Sequence, residues 1–187
     1  MSIVTLRGAI DVTLGKDTSF GASEEKQIFE YESPDRTRGW RIRYAAFWVQ
    51  QGISSTLGGD NRLMIQSTLS TDSLGAVTIT DGATAKEWTQ RMGAGDNRTM
   101  AWLSQDYQNR ENTNADFITP GQGWGREMIG DFDRIITNEL WLQTYAVTEG
   151  DEGDVVCNYY IELEQIKISA SQSVFQQLKG IGQDIDS

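Results

Sequence analysis

Histidine is absent from the 187-residue chain. Serine and cysteine nucleophiles activated by histidine are therefore excluded, and so are histidine-ligated zinc and iron sites. The commonest acid–base group near neutral pH is missing, which weighs against an enzyme. Cysteine occurs once, at Cys157. One cysteine forms no internal disulfide and no cysteine-based zinc site, and it fits a reducing compartment or an assembly with no redox demand. Its context, Val155-Val156-Cys157-Asn158-Tyr159, reads as a strand holding a small core residue rather than a reactive thiol. Proline occurs only at Pro34 and Pro120, so no proline-rich linker divides the chain. No apolar run approaches the ~20 residues that a membrane helix needs. The N-terminal Met1–Arg7 stretch has a strand-like pattern without the zones of a signal peptide, so a cytoplasmic location is the default expectation.

Basic residues are also scarce. Sixteen Lys and Arg stand against 27 Asp and Glu, for a net charge of −11. There is no basic terminal arm, so contact with nucleic acid is not expected to dominate. The acidity is uneven: residues 131–187 carry eleven acids and three bases, net −8, and residues 1–130 carry sixteen and thirteen, net −3. Apolar residues make up 38% of the chain and glycines number 19, which suits one core with many turns.

What is present alternates with period two. Ile10, Val12 and Leu14 mark one strand, and Phe29 and Tyr31 another. In Trp40–Val49 the even positions Trp40, Ile42, Tyr44, Ala46 and Trp48 form one apolar face. Leu63, Ile65 and Leu69 give a further strand, Val77 and Ile79 a short one, and Thr99–Tyr107 another. Residues 84–92 fit a short helix carrying Trp88 and Met92, and residues 109–125 a long polar loop. Glu139–Val147 and Val155–Ser169 read as a final hairpin. The apolar phase of its second strand flips between Leu163 and Ile166, which predicts a β-bulge there. Val174, Phe175, Leu178 and Ile181 then fall on one helical face, with Ser171 as cap and Gly180 as stop. The expected fold is all-β, an antiparallel β-sandwich of jelly-roll type over residues 1–170, followed by a C-terminal helix and tail over 171–187.

Candidate sites were weighed against plainer readings. Asp131 with Asp133, and Glu162 with Glu164, are the carboxylate pairs a hydrolase would use. A loop for the first pair and a solvated strand face for the second are the simpler readings. Glu149, Asp151, Glu152 and Asp154 offer hard oxygens for calcium without the spacing of an EF-hand, and a charged turn is the simpler reading. The glycines near 93–95 and 121–125 lack phosphate-loop spacing. No cofactor is implied. Arg36, Arg38, Arg41 and Arg43 form the one basic cluster, suited to an acidic surface on another copy of the chain. Trp124, in a glycine-rich loop, is a candidate anchor for a partner or a sugar ring.

The final strand pair Leu140–Val147 and Val155–Ser169, the Trp40–Val49 strand and the loops near 50–61 and 109–125 give the chain a recognisable texture. It resembles the single jelly-roll capsid or coat-associated proteins of viruses and phages. That resemblance implies a structural subunit of a virion that contacts copies of itself and other structural proteins. Interface residues would be Val174, Phe175, Leu178, Ile181, Trp124 and the four arginines. The missing basic arm departs from genome-packaging coats and suits a decoration or minor role. The alternative on the same fold is a carbohydrate-binding module using Trp124, with Trp88 or Trp102.

Overall fold

In the computed structural model, residues 2–13, 15–16, 24–32, 37–50, 62–75, 96–108, 126–148, 154–169, 171–172 and 174–175 are described. They contain ten strands: β1 (Ile3–Thr13), β2 (Gly15–Lys16), β3 (Glu24–Glu30), β4 (Arg38–Val49), β5 (Arg62–Ser70), β6 (Thr99–Gln108), β7 (Arg126–Glu127), β8 (Ile129–Gly130), β9 (Glu139–Thr148) and β10 (Asp154–Lys167). One sheet has the order β1-β10-β4-β7. The other runs β2-β9-β5-β6-β8, with β3 also paired to β9. All pairings are antiparallel except the two-residue contact of β2 with β9.

The pairing is nested. β1 pairs with β10, β3 with β9, β4 with β7 and β5 with β6. Outer strands of the sequence join each other, as do inner ones, and successive pairs fall in alternate sheets. That is a ribbon of paired strands rolled into a double Greek key, the jelly roll. Between the sheets lie Val12, Trp40, Ile42, Ala45, Phe47, Ile65, Leu69, Leu103, Leu140, Leu142, Cys157, Ile161 and Leu163, all buried. Alternation puts these apolar positions inward and their polar neighbours outward, so one core suffices for both sheets. The wall is closed by a strand that changes sheets. Arg126–Glu127 pairs with β4, Met128 is buried, and Ile129–Gly130 pairs with β6. Gly130 makes that closure possible, because a Cβ there would collide with the carbonyl oxygen of Met100.

Two sequence expectations are corrected. The expected hairpin of the last two long strands does not exist: β9 belongs to the six-stranded sheet and β10 to the four-stranded one. Both strands are apolar enough on their inward faces to sit opposite each other across the core. The bulge lies on β4 rather than β10. Glu162 opposes Tyr44 and Leu163 opposes Ile42, which leaves Arg43 as the extra residue. The buried face of β4 therefore switches from Trp40 and Ile42 to Ala45 and Phe47, where uniform alternation had been expected. The Ser169–Gln172 pair closes the turn that follows β10. Ser169 Oγ accepts the Gln172 amide at 3.2 Å, and Gln172 Oε1 accepts the Ser169 amide at 2.9 Å, a reciprocal capping box. Ser171, Gln172, Val174 and Phe175 are helical. The rest of the expected helix, with the Val77–Ile79 strand, the 84–92 helix and the 109–125 loop, lies outside the described residues.

Candidate assembly surface

Five strand ends meet at one end of the sandwich: the starts of β1, β4 and β9 and the ends of β3 and β10. A cluster of aromatic rings closes the core there. Trp40 is met edge-on by Phe29 at 5.5 Å and by Tyr31 at 5.7 Å between ring centroids. Trp40 also exchanges both backbone hydrogen bonds with Ile136, at 2.9 and 2.7 Å. Gly39 admits this segment, because a Cβ would lie 2.6 Å from the Ile135 side chain. The Tyr31 amide donates to the Asn138 carbonyl, and the Gln165 amide to the Ser2 carbonyl. The end is thus rigidly built on both sheets.

Its rim carries charge in an unusual arrangement. Arg38 lies directly across from Lys167 between β4 and β10, and both are exposed. Neither makes an ion pair or side-chain hydrogen bond among the described residues. On the other sheet Glu30 lies directly across from Glu139, between β3 and β9. Like charges directly opposite on neighbouring strands destabilise the pairing. The Glu139 carboxyl is pushed above its ordinary value, first by burial and then by the charges of Asp72, Glu30 and Glu25. The Gln27 amide donates to Glu139 Oε2 at 2.9 Å. Ile3, at the start of β1, is 51% exposed, and nearer the C-terminus Val174 and Phe175 are 43% and 60% exposed.

The three described arginines of the expected cluster have different surroundings. Arg38 stands on the rim and Arg43 is exposed at the bulge. Arg41 is held by Glu164, whose Oε2 accepts from its Nε at 2.9 Å and its Nη2 at 2.8 Å, with Asp133 at 3.9 Å. Arg36 lies outside the described residues, as do Trp124, Leu178, Ile181 and Trp88. Of the expected calcium ligands, Glu149, Asp151 and Glu152 also lie outside them, and Asp154 is placed as the first residue of β10. Among the described residues no three acidic, histidine or cysteine side chains are grouped to hold a metal ion. Trp102 lies on the outer side of the six-stranded sheet opposite Ile129 and is half-buried.

The other carboxylates have structural partners. Glu162 accepts the Tyr160 hydroxyl at 2.9 Å, and Glu164 is buried in its ion pair instead of lying on a solvated face. Asp131 and Asp133 are exposed in a turn. Asp96 accepts the Arg98 amide and guanidinium at 2.8 to 3.1 Å. Burial raises the Asp96 carboxyl, yet these bonds together bring it below its usual range. Cys157 is fully buried, and burial with the nearby Asp11 charge pushes its thiol up to about 12, the state of an inert core residue. Sequence reasoning missed Lys167, Glu30 and Glu139. Their significance lies in who faces whom, and only a strand register reveals that.

The described residues therefore form a jelly roll with a charged rim at one end. No protein-family model and no curated protein matches the chain. Solved structures do align with it. A structure from Desmodium yellow mottle tymovirus is 8% identical, with a TM-score of 0.38, covering 90% of this chain and 91% of that one. A semi-empty virus-like particle of the giant freshwater prawn Macrobrachium rosenbergii nodavirus is 9% identical, TM-score 0.39, covering 89% and 95%. Merkel cell polyomavirus VP1 in complex with disialyllactose is 10% identical, TM-score 0.33, covering 90% and 100%. The fold assignment rests on the nested strand pairing, and nothing further is taken from these likenesses.

Proposed function

We propose that this protein is a viral structural subunit, a self-assembling capsid or coat-associated tile without catalytic activity. The carrying observation is that three large apolar side chains, Ile3, Val174 and Phe175, stand 51%, 43% and 60% exposed on a chain whose other strands bury their apolar positions in one core. Large apolar side chains left in solvent gain little on a monomer and would stabilise a contact between tiles. The jelly roll suits the role, since its two sheets make a rigid block with loops at both ends, but the same architecture also serves lectins and cupins. A virion location and contacts with copies of the chain or other structural proteins follow from this reading. Val174→Glu/Phe175→Glu is the test, with deletion of 171–187 beside it. Negative-stain images of the intact chain should show closed shells or regular arrays. The double variant should keep its thermal midpoint within a few degrees and sediment as a smaller species. Unchanged assembly in the variant would remove the terminal segment from the contact.

A further inference from the structure

Two features of the rim fit together. Each sheet ends in a like-charge pair, Arg38 with Lys167 on one and Glu30 with Glu139 on the other, and the signs are opposite. Within one molecule each pair is unfavourable, since the charges oppose one another across neighbouring strands. The two cations have no anionic partner among the described residues, although the chain as a whole carries eleven more negative than positive charges. The nearby Arg41 shows that a cation on this sheet readily finds an intramolecular carboxylate where the register offers one. Arg38 and Lys167 are offered none.

We infer that this rim is a two-fold contact with a second copy of the chain, in which Arg38 and Lys167 of one molecule meet Glu30 and Glu139 of the other. A patch with a positive and a negative half is self-complementary under a two-fold rotation, the commonest symmetry of protein contacts. Both like-charge pairs are relieved at once, and the same rotation brings two copies of the aromatic-backed rim face to face. The exposed Ile3, paired with Glu164 near the end of β10, adds an apolar side chain to the contact. This inference rests on the self-assembling reading above and names the surface through which assembly begins.

Charge reversal tests it on the full chain by sedimentation velocity at about 0.1 M salt, where the screening length is roughly 10 Å. Arg38→Glu/Lys167→Glu makes the rim wholly negative, and Glu30→Lys/Glu139→Lys makes it wholly positive. Each variant alone should associate at least about tenfold more weakly than the native chain, because like-charged patches meet. An equimolar mixture of the two should associate more tightly than either alone. The fourfold variant, which inverts the patch, should recover native association. Should a reversal disturb folding by near-ultraviolet circular dichroism, Arg38→Gln/Lys167→Gln and Glu30→Gln/Glu139→Gln replace it, with a smaller loss expected. Native association in both reversed variants, or no gain on mixing, would overturn the rim contact while leaving assembly through other surfaces standing. A native chain that stays monomeric at every concentration would overturn both.

Discussion

The outer faces of the two sheets treat their carboxylates in opposite ways. On the four-stranded sheet Glu164 is 7% exposed and receives two N–H groups from Arg41. On the six-stranded sheet Glu139 faces Glu30 and shares its surroundings with Asp72 and Glu25. The first carboxylate is secured by a cation on the adjacent strand. The second has the Gln27 side-chain amide as its donor against several negative charges. An inward-facing position is judged by apolar packing, but an outward-facing charge is judged by its cross-strand neighbour. Two glutamates of the same chain, each on an outward strand face, thus act in opposite directions on stability.

The comparison breaks most severely at Arg41. Arg41→Ala leaves Glu164 buried without its cation. The loss should be about 2 kcal/mol, below the cost of breaking a fully buried pair because Arg41 is itself partly exposed. Urea unfolding should show a lower midpoint with an unchanged slope. Arg41→Met/Glu164→Leu should recover most of the stability, since the uncompensated charge is then gone. A loss in the single variant below a few tenths of a kcal/mol would mean that Glu164 is effectively solvated, and the contrast with Glu139 would disappear.

The second break lies on the six-stranded sheet, whose outer face is covered. Thr68, Ser70, Gln143 and Tyr145 are buried although alternation turns them away from the core. The segment after β5 folds back there. Glu25 Oε1 accepts the amides of Leu74 at 2.7 Å and Gly75 at 3.3 Å, its Oε2 accepts the Ser73 hydroxyl at 2.6 Å, and the Gln143 amide donates to the Gly75 carbonyl at 2.8 Å. Here a carboxylate is satisfied by backbone instead of by a cation. Glu25→Ala should cost about 1 kcal/mol, the net worth of such bonds. It should also speed hydrogen exchange at the Leu74 and Gly75 amides while leaving those of β10 unchanged. Equal acceleration in both sheets would show that Glu25 acts on global stability and not on this cover.

The strands themselves were legible in the sequence because period-two apolar patterning is a local property. β4, β6, β9 and β10 all begin and end within a few residues of where alternation places them. Partnership between strands was not legible. Leu140 and Ile161 have the same pattern whether their strands lie side by side or face each other across a core, so the final pair was mistaken for a hairpin. The bulge was detected as a change of phase but placed on the wrong strand. The extra residue is Arg43 on β4, while β10 keeps an unbroken register with β1 through Leu163 and Glu164. For the candidate surface, the exposed Val174 and Phe175 were visible as an amphipathic turn. The rim charges were not, because Lys167 lies 129 positions from the Arg38 it faces, and Glu139 lies 109 from Glu30.

The smallest effect sharpens the comparison by its sign. Glu139 has a folded-state proton affinity above that of the unfolded chain, through burial first and neighbouring carboxylates second. The folded state therefore holds its proton to higher pH than the unfolded state does. Ionised Glu139 opposes folding once the pH has risen through its folded value, and the penalty vanishes below the unfolded value. Glu139→Gln keeps an acceptor for the Gln27 amide and removes the charge facing Glu30. At neutral pH, at concentrations where the chain is monomeric, it should raise stability by a few tenths of a kcal/mol. The gain should shrink as the pH falls through the carboxylate range. Asp96 supplies the opposite sign, since its lowered carboxyl contributes stability above the unfolded value that is lost as the pH falls through the folded one. Urea titrations of native and Glu139→Gln chains across that range isolate the difference, because Asp96 is common to both. A variant less stable than the native chain at neutral pH would mean that Glu139 is secured as firmly as Glu164, with the unlike treatment of the two faces then reduced to Arg41 alone.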